Sequence, residues 1–97
     1  MKIRYTSLAR VELLNALEYY EANASLEIAK DFFAEFEAAK KKISTSPHAF
    51  PEIRLGVRRF LFSRFPYEIS YEIVDDKTLK ILVIKHQRRS PDFGLES

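Results

Sequence analysis

The chain has 97 residues, of which 46% are hydrophobic and 31% charged, a composition typical of a folded domain rather than of a disordered segment. It contains no cysteine and only two histidines, His48 and His86, which excludes disulfides and thiolate chemistry and argues against a zinc or iron site. No apolar run approaches the roughly 20 residues that span a bilayer, and the N-terminus lacks the apolar stretch of a signal peptide. We therefore expect a single domain over residues 1–97, located in the cytoplasm and without a membrane partner.

The formal net charge of +2 conceals an uneven distribution of charge along the chain. Residues 7–46 carry five Lys or Arg against seven Asp or Glu, whereas residues 54–64 carry four Arg and no acid. Residues 77–91 again carry five Lys or Arg and no acid. This distribution predicts a surface with one basic side, unless the basic strand positions serve only solubility or the protection of strand edges.

The N-terminal half predicts a short strand followed by a helix. Polar and apolar residues alternate over residues 2–6, as in a half-buried strand. Thr6 or Ser7 can then cap a helix that continues to about Asn23. Its apolar stripe repeats at helical spacing and consists of Leu13, Ala16, Leu17 and Tyr20.

A second helix is predicted after the break at residues 23–25, with Ser25 as its N-cap. Its stripe is formed by Ala29, Phe32, Phe33, Phe36 and Ile43, and we expect the three phenylalanines to contact the core. The lysines at 40–42 fall in its last turns, where they suit the helix dipole better than they indicate a nucleic-acid patch. The very short connection predicts an antiparallel helical hairpin.

The C-terminal half predicts a loop and then three strands. Two prolines, Pro47 and Pro51, make residues 44–52 a loop. Strand-like segments follow at residues 57–62, 67–73 and 79–84, with a turn at 75–77 and a tail over 86–94. The order is therefore β-α-α-β-β-β, an α+β fold in which an N-terminal strand and a two-helix hairpin pack on a small, mostly antiparallel sheet.

Alternation within residues 67–73 assigns side chains to the two faces of this sheet. Tyr67, Ile69, Tyr71 and Ile73 share the apolar face, and Glu68, Ser70 and Glu72 share the other. We expect this second face to be exposed, concave and polar, and therefore to be the place to look for function.

The residue types leave few chemistries open. Gly56 and Gly94 are the only glycines, so neither a phosphate-binding loop nor a nucleophile elbow is present, and no cofactor is implied. Arginine, in contrast, offers planar paired donors to phosphates and carboxylates. The candidate target-binding residues are the basic residues of the C-terminal half: Arg58, Arg59, Arg64, Lys85, His86, Arg88 and Arg89.

Four segments resemble the toxins of the RelE/ParE superfamily, and within it the ParE-like branch. They are Ala9 to Leu13 with the Tyr19–Tyr20 pair, Pro47 followed by Pro51, the stretch from Val57 through Phe65-Pro66-Tyr67 to Ile69-Ser70-Tyr71, and the ending Ile84 to Pro91 with its His-x-x-Arg-x-Pro pattern. Together these segments span nearly the whole chain in the family's order.

This resemblance implies a growth-inhibiting toxin of a type II, plasmid-stabilisation-like toxin–antitoxin system. Its expected partners are a cognate antitoxin, in a toxin–antitoxin hetero-oligomer, and DNA gyrase, which ParE-like toxins block. The RelE-like branch instead cuts mRNA on the ribosome, and a third alternative is an inactive module that only binds its antitoxin.

Two positions depart from the RelE-like nuclease. That branch uses a basic residue in the strand after the turn and a tyrosine near the C-terminus. Here Glu68 follows Tyr67, and the tail carries Phe93, which has no hydroxyl for acid–base work. The sequence thus favours a toxin without catalysis of its own, with His48 and His86 as the remaining acid–base candidates should it be an endoribonuclease.

Overall fold

The computed structural model describes residues 1–95. Its elements are β1 (Lys2–Tyr5), α1 (Ser7–Asn23), α2 (Leu26–Thr45), β2 (Glu52–Arg54), β3 (Val57–Leu61), β4 (Tyr67–Asp75) and β5 (Thr78–His86). The five strands form one sheet in the order β1-β5-β4-β3-β2, with β1 parallel to β5 and every other pair antiparallel. The predicted α+β class, with a helical hairpin and a mostly antiparallel sheet, is confirmed.

The sheet holds one strand more than the sequence analysis predicts. Strand β2 is only three residues long and pairs with the start of β3 across a turn in which Gly56 adopts a φ of 77°. Such a short segment offers no alternation that a sequence pattern could reveal. The predicted loop is therefore shorter, and helix α2 reaches Thr45 before it begins.

Both predicted helix caps are present. The Thr6 hydroxyl accepts the backbone N–H of Ala9 at 3.0 Å, and the Ser25 hydroxyl accepts that of Ile28 at 3.1 Å. Thr6 also donates to the carbonyl of Leu82 at 2.7 Å, so the start of α1 is fastened to β5.

An aromatic core fills the space between the hairpin and the sheet. The Phe32 ring lies within 5.0–5.5 Å, centroid to centroid, of four neighbouring rings: Tyr20, Phe62, Phe65 and Tyr67. Phe36 is buried as well, at 1% exposure. Phe33 is different, because 42% of it is exposed, and its predicted place in the core is wrong. It instead lines a groove beside Leu13 and Leu14 of α1, and its ring lies 6.2 Å from that of Phe36.

The second face of the sheet is not exposed, and that expectation is wrong. Glu68 is only 4% exposed and Ser70 only 1%. The C-terminal tail folds back onto this side, where the Lys85 ammonium donates to the carbonyl of Arg89 at 3.3 Å. Burial of this face therefore comes from the tail, a segment the alternation rule does not include.

Candidate target-binding site

The seven basic candidates come from four segments, namely strand β3, the β3–β4 connection, strand β5 and the C-terminal tail, and their surroundings differ. Arg58 is engaged in holding the chain together. Its Nη1 donates to the carbonyls of His48 and Phe50 at 3.1 and 2.7 Å, and its Nη2 pairs with Glu52 at 3.4 Å. Its guanidinium thus fastens the loop after α2 to the sheet through both terminal nitrogens.

Tyr71 fastens the same loop from the neighbouring strand. Its hydroxyl donates to the carbonyl of Pro47 at 2.6 Å. Burial raises the pKa of Tyr71, although the charge of Arg58 opposes the shift. The phenol therefore stays protonated and remains a donor at neutral pH.

Arg59 lies on the second face, opposite Ser70 in the β3–β4 ladder. Within residues 1–95, neither its Nε nor the Ser70 hydroxyl has a hydrogen-bond partner, although both atoms are buried. Buried polar atoms are usually paired, and an unpaired one costs about 1–3 kcal/mol. This pair of atoms marks the polar face as incompletely satisfied.

Arg64 lies in the connection between β3 and β4, at the end of the sheet where β5 also ends. The carboxylate of Glu35 on α2 accepts three successive backbone N–H groups there, those of Ser63, Arg64 and Phe65, at 2.8–3.2 Å. The Arg64 side chain pairs with Asp31 at 2.9 Å but stays 58% exposed. Its position is thus fixed from α2, and its charge remains accessible.

Lys85 is not on the accessible surface, which corrects its expected role in target contact. The Lys85 side chain is 3% exposed and that of Glu68 is 5% exposed, and Lys85 Nζ lies 3.5 Å from Glu68 Oε1. The two residues are directly opposite in the β4–β5 ladder. A charge this deep needs a partner, and Glu68 is that partner.

The last three candidates gather with two residues of other elements into one surface group, which we call the β5-end cluster. Its members are Glu12, Tyr67, His86, Arg88 and Arg89. The rings of Tyr67 and His86 meet edge to face at 5.4 Å, and the Arg88 backbone N–H donates to His86 Nδ1 at 3.0 Å. His86 Nδ1 is therefore occupied by a backbone donor, and the His86 side chain is half-buried beside Tyr67.

Arg89 is held in this cluster by an aromatic ring and a carboxylate. Its guanidinium carbon lies 4.3 Å above the centre of the Phe93 ring, and Nη2 lies 4.0 Å from Glu12. The Arg89 side chain nevertheless remains 50% exposed, and Arg88 is exposed as well. The cluster is thus a preformed surface with two accessible guanidinium groups.

Tyr67 supplies a hydroxyl to the same surface. Burial raises its pKa first of all, and the neighbouring Glu12 and Tyr19 raise it further against the opposing charge of Arg89. The hydroxyl therefore remains a hydrogen-bond donor at neutral pH. An anionic or carbonyl-rich partner would find donors from Tyr67, Arg88 and Arg89 on one side of the molecule.

Sequence reasoning missed Glu12, which was not among the candidate site residues. The side chain is only 13% exposed. A signal was present, since Glu12 lies three residues after Ala9 and four before Ala16, and both alanines are buried. Small residues on either side of an acid allow it to reach across toward the sheet.

Two further classes of site find no support within residues 1–95. No group of three or more His, Cys, Asp or Glu side chains is arranged to hold a metal ion there. Over the same residues, no helix is long and apolar enough to cross a bilayer. Of the two acid–base candidates, His86 belongs to the β5-end cluster, whereas His48 is exposed in the loop after α2.

The architecture is similar to that of solved toxins. It matches the ParDE system of P. aeruginosa with a TM-score of 0.76 at 20% identity, over 89% of this chain and 95% of that one. The RelBE2 complex of Mycobacterium tuberculosis matches with a TM-score of 0.58 at 24% identity, over 88% and 95% of the two chains. The isolated RelE toxin of E. coli matches with a TM-score of 0.61 at 11% identity, over 97% and 92%.

At the level of sequence, no protein of curated function matches the chain. The family model described as the ParE toxin of the type II toxin–antitoxin system parDE matches residues 3–91. That match includes both helices, strand β1 except for Lys2, the other four strands and all five members of the β5-end cluster. The chain therefore belongs to the ParE toxin family of type II toxin–antitoxin systems.

Proposed function

We propose that this toxin inhibits bacterial growth by acting on DNA gyrase in the cytoplasm, without catalysis of its own. The observation that favours gyrase over mRNA cleavage is the Glu68–Lys85 pair. Glu68 stands in the strand after the turn, where the nuclease branch uses a basic residue, and it neutralises the one lysine beside it. A phosphate at this face would meet a carboxylate and the covering tail.

The tail supports the same choice. Phe93 stacks under Arg89 at 4.3 Å, and it has no hydroxyl with which to donate a proton. Among the candidate residues, Arg64, Arg88 and Arg89 are the exposed arginines, and a protein or protein–DNA partner could reach them. Target contact through the β5-end cluster is accordingly part of the proposal.

Induction of the toxin alone in a bacterial host tests this function. Growth arrest with the DNA-damage response and without mRNA cleavage at ribosomes is the expected result. Purified toxin should likewise inhibit supercoiling by gyrase and leave programmed ribosomes with intact mRNA. Codon-specific cleavage in the ribosomal A site would overturn the proposal in favour of the nuclease, and normal growth would indicate an inactive module.

A charge-matched pair of variants tests the surface. Arg88→Ala with Arg89→Ala should weaken gyrase inhibition, because both guanidinium groups are exposed in the β5-end cluster. Lys41→Ala with Lys42→Ala removes the same charge from exposed positions on α2 and should leave inhibition unchanged. Equal loss in the two variants would show that only net charge matters.

We further propose that the cognate antitoxin covers the helical hairpin and the open edge of β1. Between α1 and α2 lies a mostly apolar groove of about 370 Å³. Leu14 and Phe33 line it and are 58% and 42% exposed. Strand β1 is an edge strand of the sheet in residues 1–95, so an extended segment can add to its outer side as a further strand.

Substitutions at exposed apolar positions test this second surface. Phe33→Asp should weaken binding of the cognate antitoxin by roughly tenfold or more, because a charge would enter the apolar groove. Leu55→Asp, at a hairpin tip where the side chain is 97% exposed, is the matched control and should leave binding unchanged. Titration calorimetry on the two folded variants distinguishes them, and equal affinities would remove the groove from the antitoxin interface.

A further inference from the structure

The C-terminal segment from Arg88 to Leu95, which we call the strap, lies against the second face of the sheet with few attachments. The Lys85 ammonium holds the carbonyl of Arg89 at 3.3 Å, and Arg54 holds that of Leu95 at 2.8 Å. At its start, the Arg88 N–H donates to His86 Nδ1 and the Arg89 N–H to the His86 carbonyl, both at 3.0 Å. The strap's remaining backbone bonds within residues 88–95 join it to itself, as in Phe93 to Ser90 and Leu95 to Asp92.

Gly94 provides the closest approach of the strap to the rest of the molecule. A Cβ atom at this position would lie 2.7 Å from Val83 Cγ2 and 2.8 Å from Leu8 Cδ2. Gly94 also has a φ of 78°, which other residues rarely adopt. Gly94 therefore lets the strap lie directly against β5 and α1, and a residue with a side chain at this position would displace the strap.

The surroundings of the strap are not tightly filled. A cavity of about 280 Å³ remains between it and the sheet, lined on the strap side by Gly94 and Leu95 and on the other by Arg54 and Val57. Ser70, whose buried hydroxyl has no partner within residues 1–95, pairs in the ladder with Val83, on which Gly94 is seated. Water reaching this face would satisfy such atoms, so opening of the strap is less costly than exposing an apolar core.

The strap also carries the arginines of the β5-end cluster. Arg88 and Arg89 are its first two residues, and the backbone of Arg89 is the group that Lys85 holds. We infer that Lys85 and Gly94 are positioning residues, which seat the strap so that Arg88 and Arg89 face the target. This inference rests on the proposed function. It gives Lys85, which is too buried to contact a target itself, a role in placing the residues that do.

Amine acylation followed by mass spectrometry reports directly on the strap. Lys85 is 2% exposed beneath it, whereas Lys77 lies in an exposed turn and serves as the internal reference. In the intact toxin we expect Lys85 to react at least tenfold more slowly than Lys77, because a buried amine is modified only during opening. Equal rates for the two lysines would show that the strap is not seated, and would overturn the inference.

Two glycine variants then release the strap or leave it in place. Gly94→Ala should raise the acylation rate of Lys85 by about tenfold, because the new methyl group meets Val83 and Leu8. Gly56→Ala is the matched control, since Gly56 has nearly the same φ, 77°, but no atom within 4 Å of its added Cβ. The control should leave Lys85 as protected as in the parent chain.

Hydrogen exchange of the β4 and β5 amides separates opening of the strap from unfolding. These amides should remain protected in Gly94→Ala, and in the milder variant Arg54→Ala, which removes only the exposed bond to Leu95. Adding Val83→Ala to Gly94→Ala makes room for the methyl group and should restore part of the protection of Lys85. If Val83→Ala does not restore protection, the contact between Gly94 and Val83 is not what holds the strap in place.

Gyrase inhibition by the same variants completes the test. Release of the strap should raise the toxin concentration for half-inhibition, and the rescue variant should lower it again. A rapidly acylated Lys85 together with unchanged inhibition would overturn the positioning role and leave the proposed function standing. Absence of inhibition by the parent chain would refute the proposed function, while acylation would still decide whether the strap is seated.

Discussion

The two faces of the sheet are buried to a similar degree by different means. The face toward the helices presents only apolar and aromatic side chains at its centre, among them Ile69, Tyr71 and Ile84, each at 0% exposure. The opposite face places a carboxylate, a hydroxyl and an ammonium under the tail, at 1–4% exposure. Helix packing is thus secured by apolar area, whereas the tail is held on the opposite face by the Lys85–Arg89 and Arg54–Leu95 hydrogen bonds and by one close contact at Gly94.

The largest effect should come from the helix-facing side. Phe36→Ala removes a ring that is 1% exposed and should lower the free energy of unfolding by about 3–5 kcal/mol, because a cavity remains where the ring was. Phe33→Ala, on the same helix but 42% exposed, should lower it by about 1 kcal/mol or less. Urea unfolding of both variants provides the measurement, and similar losses would contradict the assignment of the helix face.

The ion pair of the opposite face should give the next largest effect. Lys85→Met leaves Glu68 buried without its partner and should cost about 3 kcal/mol. Adding Glu68→Leu removes the second charge, and the double variant should regain most of this loss. A double-mutant cycle by urea unfolding measures the coupling. A double variant less stable than Lys85→Met would contradict this prediction, because it would show that the unpaired Glu68 charge is not the cause of the loss in stability.

Most of the helix-facing side was predictable from sequence, because its determinants are local. The caps at Thr6 and Ser25 and the stripe containing Phe32 and Phe36 each depend on residues within a few positions of one another. Phe33 was misplaced because residues of one stripe can face either the sheet or the groove between the helices, and helix periodicity does not distinguish the two.

The opposite face and the candidate site depend on contacts between distant residues. Gly94 meets Leu8 across more than 80 positions of sequence, and Glu68 meets Lys85 only through the β4–β5 register. Alternation correctly placed Glu68 and Ser70 on one face, but it could not show that the tail covers them. The seven basic candidates were likewise chosen by type alone, and the fold separates the buried Lys85 and the engaged Arg58 from the exposed Arg88 and Arg89.

A smaller effect on the helix-facing side is expected where a polar group is buried. Tyr71→Phe removes the donor to the carbonyl of Pro47 and should lower the free energy of unfolding by about 1–2 kcal/mol at neutral pH. The ring itself remains, so the core stays filled. Urea unfolding together with the hydrogen exchange of residues 46–51 checks this, because loosening should be confined to that loop. An unchanged loop would show that Arg58 suffices to hold it.

The smallest effect is a difference in alkaline sensitivity, and it belongs to the helix-facing side. Burial raises the pKa of Tyr71, and it also leads the causes that raise the pKa values of Tyr20 and Tyr67. A group whose folded-state pKa is raised stabilises the fold fully below its unfolded pKa, near 10, and loses that contribution as the pH rises further. Stability should therefore decline above about pH 10. Tyr71→Phe should make that decline shallower, because phenylalanine does not titrate.

The exposed Tyr19 supplies the control for this pH dependence, since it is 58% exposed and makes no contact with Tyr71 in the core. Tyr19→Phe should reduce the difference in urea midpoint between pH 9 and pH 11 only slightly, through the part that Tyr19 adds to the raised pKa values of Tyr20 and Tyr67, whereas Tyr71→Phe should reduce it more. The comparison is made within each variant, so the hydrogen bond that Tyr71→Phe loses at every pH cancels from the slope. Parallel curves for the two variants would show that Tyr71 does not contribute to alkaline unfolding. Lys40 would then be the group to test next: burial is the largest single influence on its pKa and lowers it, but the hydrogen bonds and charges of Tyr5 and Glu37 together raise it further.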